Sequence, residues 1–113
     1  MHEMSLAEGV LQLMEDAAKR EGFRRVVTVW LEIGQLSGVE PEAMAFCFDC
    51  VARGSLAEGA RLEIITVPGM GHCLECGQDT SLAAVYDSCS HCGAVPVPVT
   101  GGTEMRVKEL EVD

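Results

Sequence analysis

Four cysteines spaced C-x2-C-x12-C-x2-C limit this chain more than any other feature: Cys73, Cys76, Cys89 and Cys92. The two-residue spacing lets one turn aim two thiolates at a single cation. Gly77 and Gly93 relieve the tight backbone that follows each pair. Two such turns complete a closed tetrahedron of four sulfurs, the usual structural zinc site. A closed site keeps no open coordination position, so it should fold the segment rather than do chemistry. The segment is poor in large apolar groups and could not hold together without such a staple.

Composition supports that reading. A chain of 113 residues implies one domain with at most a small appendage. One Trp, one Tyr and three Phe leave the core to aliphatic side chains. The net charge of −10 argues against nucleic acid as a partner, because phosphates would be repelled. No apolar run approaches the roughly 20 residues needed to span a bilayer, and no basic-then-apolar start marks a secretory signal. A cytoplasmic protein is therefore expected, a compartment where cysteine pairs are more often ligands than disulfides.

Hydrophobic periodicity organises the rest. Leu6, Val10, Leu13, Met14 and Ala17 form one helical stripe, with Ser5 and Glu8 at capping-box spacing and Gly22 as the stop. RRVVTVWLEIG reads as a strand, with Val27, Val29, Leu31 and Ile33 on one face and Thr28, Trp30 and Glu32 on the other. GQLSGVE is a loop. Pro41 opens a second helix carrying Met44, Phe48 and Val51, and Gly54 ends it. ARLEIITV is a second strand. Strand, helix and strand in that order imply a βαβ unit with parallel pairing.

The tail EMRVKELEV is a third strand, with a parity break near Lys108–Glu109 that suggests a bulge. The cysteine segment lies between the second and third strands, bracketed by PGMG and PVPVTGG, which read as two hinges. The expected architecture is α/β: two helices packed on a small mixed three-stranded sheet, with an inserted zinc-ribbon-like domain. Residues 1–69 plus 98–113 would form the α/β domain and residues 70–97 the zinc-binding domain.

Three smaller features bear on chemistry. His72 and His91 flank the zinc ligands, either as exposed or outer-shell residues, or with one of them replacing a cysteine under changed conditions or offering a second metal a foothold. Cys47 and Cys50 share a face of the second helix, where core packing competes with a redox or metal role. The start, MHEMS, gathers the amine of Met1, the amide and imidazole of His2 and the carboxylate of Glu3. Amine, amide and imidazole can chelate one cation in fused rings, and planar nitrogen donors favour Ni(II) or Cu(II).

Taken together, MHEMS, IGQLSGVEPEA, FCFDCVARGS, AEGARLEI and the two CxxC knuckles resemble the HypA/HybF hydrogenase nickel-incorporation proteins, in order and over essentially the whole chain. The resemblance implies a metallochaperone and not an enzyme. Ni(II) would be transiently bound cargo at His2, Glu3 and the amine of Met1, and Zn(II) a structural ion on the four knuckle cysteines. An acidic residue of the SGV-x-P loop, here Glu40, is a further nickel contact that the family suggests; the alternative is that it starts the second helix at the positive end of its dipole.

Implied partners are a GTPase hydrogenase accessory protein of HypB type and the large-subunit precursor of a [NiFe] hydrogenase, with urease maturation also served in some bacteria. No nucleic acid or membrane partner is expected, and the state is monomer or homodimer. The competing reading is a zinc-ribbon protein-interaction adaptor without nickel delivery. A thiol oxidoreductase would have only Cys47 and Cys50 once zinc holds the other four.

Overall fold

A computed structural model describes residues 2–113 of the chain. The element order is α1 (His2–Glu21), β1 (Val26–Gly34), α2 (Pro41–Ala52), β2 (Arg61–Val67), β3 (Met70–His72), β4 (Asp79–Ser81), β5 (Val99–Gly101) and β6 (Met105–Val112). Two helices pack on a small mixed three-stranded sheet, and a second antiparallel sheet carries the cysteine segment. The chain divides into two compact units. One comprises 1–31, 39–65 and 106–113; the other comprises 32–38 and 66–105.

In the first unit α1 buries Ala7, Val10, Met14 and Ala17. These steps of three and four residues keep one face toward the core. Two details depart from the sequence reading. The helix begins at His2, so Ser5 lies inside it and cannot be its N-cap. The buried stripe is turned toward Ala7, which leaves Leu13 47% exposed. Gly22, in the left-handed region at φ 79°, closes the helix by donating its N–H to Ala18 at 2.8 Å.

Helix α2 packs against α1 and buries Met44, Cys47, Phe48 and Ala52. Cys47 thus belongs to the core, with Cys50 half-buried beside it.

The sheet order is β2-β1-β6. Strand β6 runs against β1: Asp113 donates its N–H to Arg25 at 2.9 Å at one end, and Gly34 donates to Glu104 at 2.8 Å at the other. Strand β2, reached through α2, completes the mixed sheet. The expected inward residues Val29, Leu31 and Ile33 are buried, but Val27 is not, and Val26 and Thr28 are. The turn after α2 explains part of this, since Val26 donates its N–H to Leu56 at 2.9 Å. Thr28 is buried because its hydroxyl donates to Glu111 Oε1 of the edge strand at 2.7 Å.

The second unit holds the antiparallel sheet β4-β3-β5, in which His72 pairs with Asp79 and Gly71 with Thr80. Its small core is Cys73, Leu82, Cys89 and Val97, with Leu36, Ala94 and Val99 packed around it. Strands of three residues are too short for hydrophobic periodicity to reveal.

The two segments read as hinges are instead close-packed. A Cβ on Gly69 would collide with the Leu82 carbonyl and Leu36, and one on Gly102 with the backbone of Pro68 and Gly69. Hydrogen bonds stitch the same crossing. Leu36 donates its N–H to Gly102 at 2.7 Å, and Gly69 donates to the Gln35 side chain at 3.0 Å. Here glycine serves close backbone approach and not slack.

Candidate metal centres

The four knuckle sulfurs lie within 4.8 Å of one another. Among the described residues this is the one cluster of three or more His, Cys, Asp or Glu side chains able to share a metal ion. The Sγ–Sγ separations are 3.6 Å for Cys73–Cys92 and 3.8 Å for Cys76–Cys89. A tetrahedron with zinc–sulfur bonds of about 2.3 Å has edges of about 3.8 Å, so the donor set fits zinc in both chemistry and size.

Both knuckles are built alike. Gly77 donates its N–H to Cys73 and Gly93 to Cys89, each at 2.8 Å, with both glycines in the left-handed region at φ 75° and 78°. Cys73 in turn donates to Gln78, and Cys89 to Ala94, each at 2.9 Å. These turns fold Cys73 and Cys89 inward and leave Cys76 and Cys92 outward and exposed.

Thiol acidities reflect the crowding. The Cys92 backbone N–H leads in drawing Cys89 down to about 6, helped by the N–H of His91 and the neighbouring sulfurs, against the opposing effect of burial. Cys92 feels a lowering pull from the Ala94 N–H, but the sulfur of Cys73, burial and the other two sulfurs outweigh it and push it up to about 12. Cys76 is also raised: the Gln78 N–H lowers it, while burial and the sulfurs of Cys73 and Cys89 prevail. Four adjacent thiolates repel, so some stay protonated until a divalent cation neutralises them.

The two flanking histidines converge on one residue. His72 Nδ1 lies 2.9 Å from Asp79 Oδ1 across the β3–β4 pair, and His91 Nε2 lies 3.2 Å from the Asp79 carbonyl. Both act beside the sulfur cage, as partners of β4.

The start of the chain is built on the first turn of α1. His2 opens the helix with its side chain 56% exposed, whereas Glu3 is only 14% exposed. The first four N–H groups of a helix have no carbonyl partner within it, so the amide nitrogens of His2 and Glu3 are not committed to the helix ladder. Met1 lies outside the described residues.

Glu3 Oε2 accepts the backbone N–H of Glu40 at 3.2 Å and stands 3.7 Å from His2 Nδ1. The Glu40 N–H, then the N–H of Glu3 itself, and then His2 hold the Glu3 carboxyl below the usual range despite partial desolvation. Glu40 is the N-cap of α2: its Oε2 accepts the Ala43 N–H at 2.8 Å, and Pro41 follows it. The fold therefore brings His2, Glu3 and Glu40 together, and Glu40 reaches the chain start through its backbone.

Sequence reasoning had no signal for that backbone role. It also missed Thr80 and Ser90, which join β4 to the second knuckle. DTS carries no periodicity, and the C-x2-C spacing of CSHC speaks for its cysteines and says nothing of the residues between them.

Known proteins resemble this chain over nearly its whole length. The family described as "Hydrogenase/urease nickel incorporation, metallochaperone, hypA" matches residues 1–112. The hydrogenase maturation factor HypA of Albidiferax ferrireducens is 66% identical over 113 residues, covering 100% of both chains. The factor of the same name from Dechloromonas aromatica is 59% identical over 113 residues, again with 100% of both chains. Among solved structures, the Ni metallochaperone HypA of Helicobacter pylori is similar at a TM-score of 0.70 and 27% identity, over 97% of this chain and 96% of that one.

Proposed function

The chain belongs to the HypA family of hydrogenase and urease nickel-incorporation metallochaperones, and from that premise we propose that it takes up Ni(II) at its amino terminus and delivers it during maturation of a [NiFe] hydrogenase. The nickel donors are the amine of Met1, the amide and imidazole of His2, and the Glu3 segment. The observation that carries this reading is the pairing of an exposed His2 with a Glu3 that is tied to the start of α2. The imidazole is open to a cation, while the turn that presents it is fixed.

Glu40 contributes by its N–H on Glu3, its carboxylate being engaged as the cap of α2. Cys73, Cys76, Cys89 and Cys92 hold a structural zinc that folds the cysteine segment. Ordinary ligand exchange then accounts for delivery. Nickel on nitrogen donors at an accessible chain end passes to softer thiolates of the hydrogenase large-subunit precursor. A GTPase of HypB type is the natural accessory partner, and the setting is cytoplasmic. No helix among the described residues is long and apolar enough to cross a membrane.

The test is nickel titration of the protein with nothing added ahead of Met1, beside His2→Ala, with zinc counted separately. Native protein should bind nickel, and His2→Ala should lose most of that binding with zinc content unchanged. Equal nickel binding by the two would remove the carrier role and leave the zinc-ribbon adaptor as the better account.

A further inference from the structure

The two knuckles share their backbone turns but not their attachment. Cys73 follows β3 directly, and that strand is fixed on both sides: His72 pairs with Asp79 and donates its own N–H to Pro98 at 3.0 Å. No strand runs into Cys89. Its knuckle is joined to the sheet by side chains of the residues between its ligands.

Thr80, in the centre of β4, is only 2% exposed. Its Oγ1 accepts the Ser90 N–H at 3.1 Å and lies 2.7 Å from the Ser90 hydroxyl. One step along, His91 Nε2 meets the Asp79 carbonyl at 3.2 Å, while the His91 N–H points at Cys89 Sγ at 3.4 Å. The residue after the first cysteine of the other knuckle is Leu74, which is 76% exposed. The clamp is therefore peculiar to the second knuckle.

We infer that Thr80 is a positioning residue of the four-cysteine metal site, holding the Cys89–Cys92 knuckle against Cys73 and Cys76 through Ser90. This rests on the proposed zinc occupancy of those cysteines. A hydroxyl buried between strand and knuckle fixes where Cys89 and Cys92 stand before metal arrives, and it resists the swing that would release them afterwards. Partners of this outer kind commonly change metal affinity by about 10–100-fold when removed. Valine has the shape of threonine but no hydroxyl, so Thr80→Val strands the Ser90 N–H and frees its side chain.

The experiment follows zinc release from the full-length protein to excess 4-(2-pyridylazo)resorcinol, and in parallel the absorption of the Co(II)-substituted form. Thr80→Val should release zinc about ten-fold faster and alter the Co(II) d–d bands, which report ligand geometry and not overall stability. Thr80→Ser keeps the hydroxyl and should restore both readouts. Ser90→Ala, at an exposed turn position, should fall between native and Thr80→Val and carries the test if Thr80→Val does not fold. Native release rates and spectra in both Thr80→Val and Ser90→Ala would overturn the positioning role. A native protein that takes up neither zinc nor cobalt would instead overturn the assignment of the four cysteines.

Discussion

Replacing Glu40 by alanine separates two jobs that one carboxylate could do. Its Oε2 accepts the Ala43 N–H at 2.8 Å, so the substitution exposes an unpartnered amide in the first turn of α2. Loss of a side-chain N-cap costs about 0.5–2 kcal/mol, and loss of a negative charge at the helix start a further 0.3–1 kcal/mol or so. Glu40 is exposed, which places the sum toward the lower end, at about 1 kcal/mol. In a domain of this size that lowers the thermal midpoint by about 4–8 °C. Glu40→Gln keeps an acceptor without the charge and should recover part of the loss.

Nickel affinity should change little in either variant, because the bond to Glu3 comes from the backbone N–H of residue 40. Circular dichroism melts and nickel titration of the same preparations read both quantities. A large fall in nickel affinity with an unchanged melt would mean that the carboxylate is a nickel ligand and not a cap, and the reasoning would fail.

Other expectations follow from the same packing. The Glu3 carboxyl is held below its ordinary value of 4.5, so its bond to Glu40 is fully present above that value and lost as the pH falls through the lowered one; the Glu40 amide shift in an NMR titration tracks this. Met44 of α2 is 0% exposed, and Met44→Ala should cost about 2–5 kcal/mol in urea unfolding. Gly69→Ala forces a Cβ into the Leu82 carbonyl and should lower the thermal midpoint, whereas Gly9→Ala, which meets nothing within 4 Å, should leave it level or raise it. Zinc uptake at neutral pH should release protons from Cys76 and Cys92, whose thiols are held protonated above the ordinary thiol value, and should weaken in acid; a weakly buffered titration with an indicator measures the release.

Local pattern was enough for much of this protein. The four-cysteine spacing specifies its own turns, because C-x2-C followed by glycine closes a knuckle whatever surrounds it. The stripes on α1 and α2 and the order strand, helix, strand follow from periodicities of 3.6 and 2, which neighbouring residues impose on one another. His2 and Glu3 could be singled out because their donor chemistry belongs to the residues themselves.

Other features exist only through contacts distant in sequence. Glu40 meets Glu3 across 37 positions. Thr28 is buried because Glu111 reaches it across 83. Gly69 and Gly102 are packed crossings and not hinges, since only assembly brings their backbones together. Thr80 holds Ser90 because β4 pairs with β3, a three-residue match too short to leave a pattern. Periodicity records what a residue owes to its neighbours along the chain, and these contacts depend on which distant groups folding sets beside it.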